Sequence, residues 1–146
     1  MITGKIVVAV LDTGLNVSLF ETYFPNKLAG TYDVKTSSTT NMYDDHGHGT
    51  HVTGTVAEGT PLNVKILSIR ISTDGYMTDS DIIAGVNYAN NFEGVQVLNM
   101  SFGGYGRNSS TEGALLAGAE KNIIKVEKIE YKNIKEILKL PKDKKC

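Results

Sequence analysis

Ile6-Val7-Val8-Ala9-Val10-Leu11 is an unbroken apolar run rich in β-branched residues, and Asp12-Thr13-Gly14 stops it. A half-exposed strand would alternate apolar and polar positions, so a continuous run fits a strand buried on both faces, as in a parallel sheet layered with helices. Residues 15–47 are polar and irregular, with Leu28 to Val34 readable as a short strand and Thr36 to Asn41 as a Ser/Thr-rich loop. From His48 to about Glu58 the pattern turns helical; Gly49 and Gly54 would let that helix lie close to the sheet, and Gly59-Thr60-Pro61 ends it. Val64 to Ile71 reads as a second strand, followed by the turn Thr73-Asp74-Gly75-Tyr76. Thr78, with Asp81 three residues on, resembles a capping box, and Ile82, Ile83, Val86 and Ala89 behind it predict an amphipathic helix over residues 79–91. Val95 to Met100 is a further strand running into Ser101-Phe102-Gly103-Gly104, and Ser109 with Glu112 opens a helix through Ala114 to Glu120. Strands alternating with helices imply βαβ units, hence an α/β fold with a mostly parallel sheet flanked by helices.

After Asn122 the pattern changes. All 15 glycines lie before that point, and residues 123–146 are a lysine-rich segment in which Ile134, Ile137, Leu138 and Leu140 could form one helical face ahead of Pro141 and a charged end. The basic run reads as a solvated tail, not as a binding surface.

Composition narrows the class without choosing a function. A chain of 146 residues fits one domain with a real core, and 40% hydrophobic with 21% charged residues gives no sign of disorder. A net charge of -1 removes the electrostatic argument for a nucleic-acid or anionic-membrane partner. The single cysteine, Cys146, excludes an internal disulfide. The longest apolar run is far too short to span a bilayer, and no signal peptide is visible ahead of the first strand.

Candidate chemistry concentrates in Asp44-Asp45-His46-Gly47-His48-Gly49-Thr50-His51, which holds all 3 histidines. Imidazole alone has an unperturbed pKa that changes its charge near neutrality, so the segment marks the candidate active site. Asp12 ends the first strand, and ligands of open α/β sheets bind at the carboxyl ends of strands. Read from its own segment, Asp12 could equally be a turn residue accepting backbone N–H bonds.

Three motifs then coincide: Val8 to Gly14, His48-Gly49-Thr50-His51-Val52-Thr53-Gly54-Thr55, and Val97 to Gly104. In this order they resemble the aspartate block, the histidine block and the substrate-binding strand of the subtilisin-like serine proteases, over about residues 5 to 120. The resemblance implies a three-layer, subtilisin-like fold, incomplete here, with residues 1–122 as the amino-terminal part of the peptidase domain. It implies Asp12 as the triad aspartate and His48 as the base that takes a serine proton and returns it to the leaving amine. Ser101, Phe102 and Gly103 would offer backbone groups to a polypeptide substrate in extended conformation, with Gly75 on the opposite edge. His51 matches a structural position of the family and His46 no catalytic one.

The chain departs from the family where the nucleophile is expected, since neither the Gly-Thr-Ser-Met-Ala block nor the Ala-Gly-Asn block of the oxyanion asparagine occurs. Ser109 and Ser110 fall at an ordinary helix start. Loss of the nucleophile costs such an enzyme about 10⁶ in kcat and loss of the oxyanion donor a further 10² to 10³, so the chain alone is expected to be inactive, its carboxyl-terminal half missing. No metal or cofactor is assigned, because Glu58 to Val64 lacks the longer loop that carries calcium in many relatives. Family members are usually exported, but nothing in the chain directs export. Two alternatives stay open: a non-catalytic peptide-binding or complementing half-domain, and a metal site built from His46, His48 and His51 with Asp44 or Asp45.

Overall fold

A computed structural model describes residues 6–102 and the strand 124–127. The elements are β1 (Ile6–Asp12), α1 (Val17–Tyr23), β2 (Leu28–Asp33), α2 (His48–Glu58), β3 (Val64–Arg70), α3 (Asp79–Asn91), β4 (Val95–Met100) and β5 (Ile124–Glu127). The five strands form one sheet in the order β2-β3-β1-β4-β5, and every pairing is parallel. β1 lies at the centre, as its unbroken apolar run requires.

Two cores sit on the two faces of this sheet. Val7, Ala9 and Leu11 point with Leu67, Ile69 and Ile71 toward Val86 and Ala89 of α3. Val8 and Val10 point with Ile66 toward Phe20 of α1 and Ala57 of α2. The period of 2 along a strand therefore also places Asp12 and, on β3, Ser68 and Arg70 on the α1/α2 side. Three layers result, and the aspartate ends on the side where α2 begins.

Thr78 caps α3 as its sequence predicts, accepting from the Asp81 N–H at 3.3 Å and donating to Asp81 Oδ2 at 2.9 Å. α1 is the element that the hydrophobic pattern misses. Asn16 caps it by accepting from the Leu19 N–H, but its 7 residues bury Phe20 alone, too little for a helical period to register. β5 falls inside the lysine-rich segment, where the composition suggests a tail; Ile124 and Val126 alternate with Lys125 and Glu127, and that period of 2 suffices for a strand beside β4. The helix predicted after Ser109 lies outside the described residues. Among the described residues no helix is long and apolar enough to cross a membrane.

The contact between α3 and the sheet depends on Gly85. A Cβ there would stand 2.7 Å from Ile71 Cγ2 and 3.1 Å from Leu11 Cδ2, both on fully buried side chains. Alanine favours a helix over glycine by about 1 kcal/mol, while overpacking a filled core costs about 1–3 kcal/mol. Gly85→Ala should therefore lower stability by up to about 2 kcal/mol, read as a lower denaturation midpoint in urea; an unchanged midpoint would mean that α3 can lift off the sheet freely.

Candidate active site

The carboxyl end of β1 and the amino end of α2 meet through glycine. A Cβ on Gly49 would lie 2.3 Å from the Gly14 carbonyl oxygen and 3.1 Å from the Thr13 nitrogen, so only glycine lets the helix start against the strand end. The same approach is not used at Gly54, whose Cβ position is open; it lines the outer groove with Leu19 and Tyr23 instead.

This contact brings Asp12 and His48 together. His48 Nδ1 is 2.8 Å from Asp12 Oδ1, the carboxylate side chain being 1% exposed and the imidazole 43%. Oδ1 also accepts the Thr13 N–H at 2.7 Å. A buried acceptor with one oxygen already held this way fixes the ring and favours the tautomer with its proton on Nδ1, which leaves the Nε2 lone pair able to accept a proton.

Asp44 ties the two elements from a third side. Its Oδ1 accepts from Thr13 Oγ1 at 2.9 Å, the Gly47 N–H at 2.9 Å and the His46 N–H at 3.2 Å, while Oδ2 accepts from the Thr50 N–H at 2.9 Å and Thr50 Oγ1 at 2.6 Å. Burial pushes the Asp44 carboxyl up, but the bonds from Thr50, Gly47 and Thr13 together hold it below the ordinary carboxylate range. Sequence reasoning assigned Asp44 no such place; its only signal is an acceptor three residues ahead of the helix cap Gly47, which has no side chain to cap with.

The other predicted site residues fall as follows. Gly75 has φ +92° in a turn where Ser72 Oγ accepts its N–H at 3.0 Å, and a Cβ on it would lie 3.0 Å from His46 Nε2. The His46 ring thus stands against Gly75 and edge-on to His48, 6.2 Å between centroids. Ser101 follows β4, its Oγ accepting from Asn99 Nδ2 at 2.9 Å, and Phe102 packs against the α3-side core. Gly103, Ser109 and Ser110 lie outside the described residues.

The metal alternative does not assemble. Among the described residues no group of three His, Cys, Asp or Glu side chains could hold one ion. His51 lines the groove with Leu19 and Tyr23, His46 turns to Gly75, and both Asp44 oxygens are occupied by Thr13, the helix amides and Thr50.

Residues 3–133 match the profile of the subtilase family. The chain is 36% identical over 105 residues to a subtilase-type proteinase of Schizosaccharomyces pombe, psp3, covering 65% of this chain and 22% of that protein. It is 34% identical over 119 residues to alkaline serine exoprotease A of Vibrio alginolyticus, covering 78% and 22%, and 33% identical over 110 residues to subtilisin DY of Bacillus licheniformis, covering 69% and 38%. The chain thus spans between about a fifth and two fifths of the length of these relatives. Among solved structures, a cold-adapted subtilisin-like serine proteinase superposes with a TM-score of 0.67 at 30% identity, over 84% of this chain and 45% of that one. Sphericase gives a TM-score of 0.74 at 24% identity, over 85% and 45%, a likeness of fold.

Proposed function

The chain belongs to the subtilase family, and from that premise we propose that it is the amino-terminal part of a serine endopeptidase domain. It supplies the acid–base pair and both edges of the peptide cleft, while the nucleophile and the oxyanion donor come from sequence other than these 146 residues. The observation that carries the reading is the buried Asp12 carboxylate 2.8 Å from Nδ1 of an imidazole that is itself 43% exposed. In this reading His48 Nε2 takes the proton of a serine supplied from outside as that oxygen attacks the scissile carbonyl, and Asp12 stabilises the imidazolium that forms. His48 then returns the proton to the leaving amine, and a water repeats the cycle on the acyl-enzyme. Ser101 and Phe102 on one side and Gly75 on the other would hold the substrate as an added strand, a backbone-directed mode that tolerates many side chains.

Labelling with a serine-directed fluorophosphonate tests this. The chain alone should not label; mixed with the serine-bearing portion of a subtilase relative, the relative's serine should label, and His48→Ala should abolish it. Labelling of the isolated chain at Ser109 or Ser110 would refute the absent nucleophile, and no labelling in any pairing would refute the complementing role.

A further inference from the structure

We propose that Asp44 is a positioning residue for the Asp12–His48 pair, acting through Thr13 as a bridge between the end of β1 and the first turn of α2. The inference rests on the reading of that pair as the acid–base centre and adds what sets its geometry.

Helix α2 opens with no cap of its own. Gly47, its N-cap, adopts φ +98° and carries no acceptor, so the first amides of the helix need acceptors from elsewhere. The His48 N–H finds His46 Nδ1 at 3.3 Å, and the others find two side chains that are bonded to each other. Gly49 N–H donates to Thr13 Oγ1 at 2.8 Å, and the same hydroxyl donates its proton to Asp44 Oδ1 at 2.9 Å. Gly47 and Thr50 donate their amides to Asp44 directly, and Thr50 Oγ1, itself a donor to Asp44 Oδ2, accepts the Asn16 N–H at 2.9 Å.

The consequence is a closed ring of contacts. From His48 Nδ1 it runs to Asp12 Oδ1, to the Thr13 amide, through the Thr13 hydroxyl to Asp44, and back through the helix amides to His48. From the Thr13 hydroxyl onward the links lie outside the reacting groups, yet each fixes where His48 stands relative to Asp12. Asp44 accepts from five donors, one on Thr13 and four within residues 46–50, and only a carboxylate, which has acceptors and no donor, can do so. An asparagine would turn an N–H₂ toward either Thr50 or Thr13 and Gly47, and so oppose one donor with another.

The test reads the low-field proton NMR signal of His48 Nδ1–H in the 146-residue chain. Expected is a resolved signal in the parent and in Thr13→Ser, which keeps the bridging hydroxyl, and its loss to solvent exchange in Asp44→Asn and Thr13→Val, with the amide signals of β1 and β3 unchanged. Val86→Ala, a cavity in the α3-side core remote from the pair, should weaken the fold but leave the signal in place. Persistence of the parent signal in both folded Asp44→Asn and Thr13→Val, or its equal loss in Val86→Ala, would overturn the proposal while leaving the pair intact. No signal in the parent would overturn the pairing itself and this proposal with it. Should Asp44→Asn fail to fold, the contrast of Thr13→Val with Thr13→Ser decides alone.

Discussion

Asp12→Asn is expected to lower kcat by about 10⁴-fold in the enzyme assembled with a serine-bearing portion, with KM nearly unchanged. The loss corresponds to about 5.4 kcal/mol of transition-state stabilisation. Its origin is the tautomer. Asp12 Oδ1 accepts from the Thr13 amide and faces His48 Nδ1 at 2.8 Å, in a position 1% exposed where water cannot substitute for it. An asparagine of the same shape that kept its oxygen on both donors would bury its N–H₂ where Asp12 Oδ2 finds no partner; turned the other way, its N–H₂ opposes Nδ1–H. If the ring keeps its place it does so with the proton on Nε2, where it can no longer accept one from a serine. No charge then remains to stabilise the imidazolium. Steady-state kinetics on a peptide anilide would measure both constants. A fall of less than about tenfold would mean that Asp12 is the turn aspartate that its own segment also allowed, and that His48 is oriented by something else.

How far the sequence carried the architecture depended on the length and regularity of each element. The central strand, the helix over residues 79–91 and the strand Val95–Met100 were legible because each sustains an apolar run or a helical period for at least 6 residues and ends at a turn or cap. The first helix was not, since 7 residues with one buried side chain carry no period, and β5 was hidden by a composition dominated by lysine although its four residues alternate. At the site, Asp12 and His48 could be named as candidates from an acid at a strand end, an imidazole at a helix start and the resemblance of their two blocks to a family. What no one-dimensional reading contains is how they meet. The approach of Gly49 to Gly14 and the five donors gathered on Asp44 depend on two segments more than 30 residues apart folding onto one face. The same limit explains the metal alternative, in which three histidines close in sequence face three different surroundings once Gly47 turns the chain at positive φ.

The largest effect on stability is expected from Asp33→Ala, which should cost about 3–5 kcal/mol. Asp33 and Arg70 are register partners on β2 and β3, 0% and 1% exposed, with Arg70 Nη1 2.6 Å from Asp33 Oδ2. The guanidinium lies over the Tyr43 ring at 4.0 Å, and its aliphatic stem runs beneath Gly14, so it cannot turn out to water without opening the loop that carries Asp44. Removing the carboxylate leaves a buried cation with the ring as its remaining counterweight, worth about 0.5–2 kcal/mol, and also frees the Lys35 amide that Asp33 Oδ1 accepts at 2.9 Å. Against a total of about 5–15 kcal/mol for an ordinary domain, that loss is a large fraction, and the thermal midpoint should fall by about 10–20 °C. The pair itself need not be stabilising, because taking both charges out of water is costly. Asp33→Leu with Arg70→Met should therefore lie much closer to the parent than Asp33→Ala does, and the difference between the two measures the penalty of an unpaired charge. Thermal melts followed by circular dichroism separate these cases. A single variant that melts within about 2 °C of the parent, no more than the shift expected for about 1 kcal/mol, would show that the arginine finds water and that the carboxyl end of the sheet is looser than the packing around Gly14 implies.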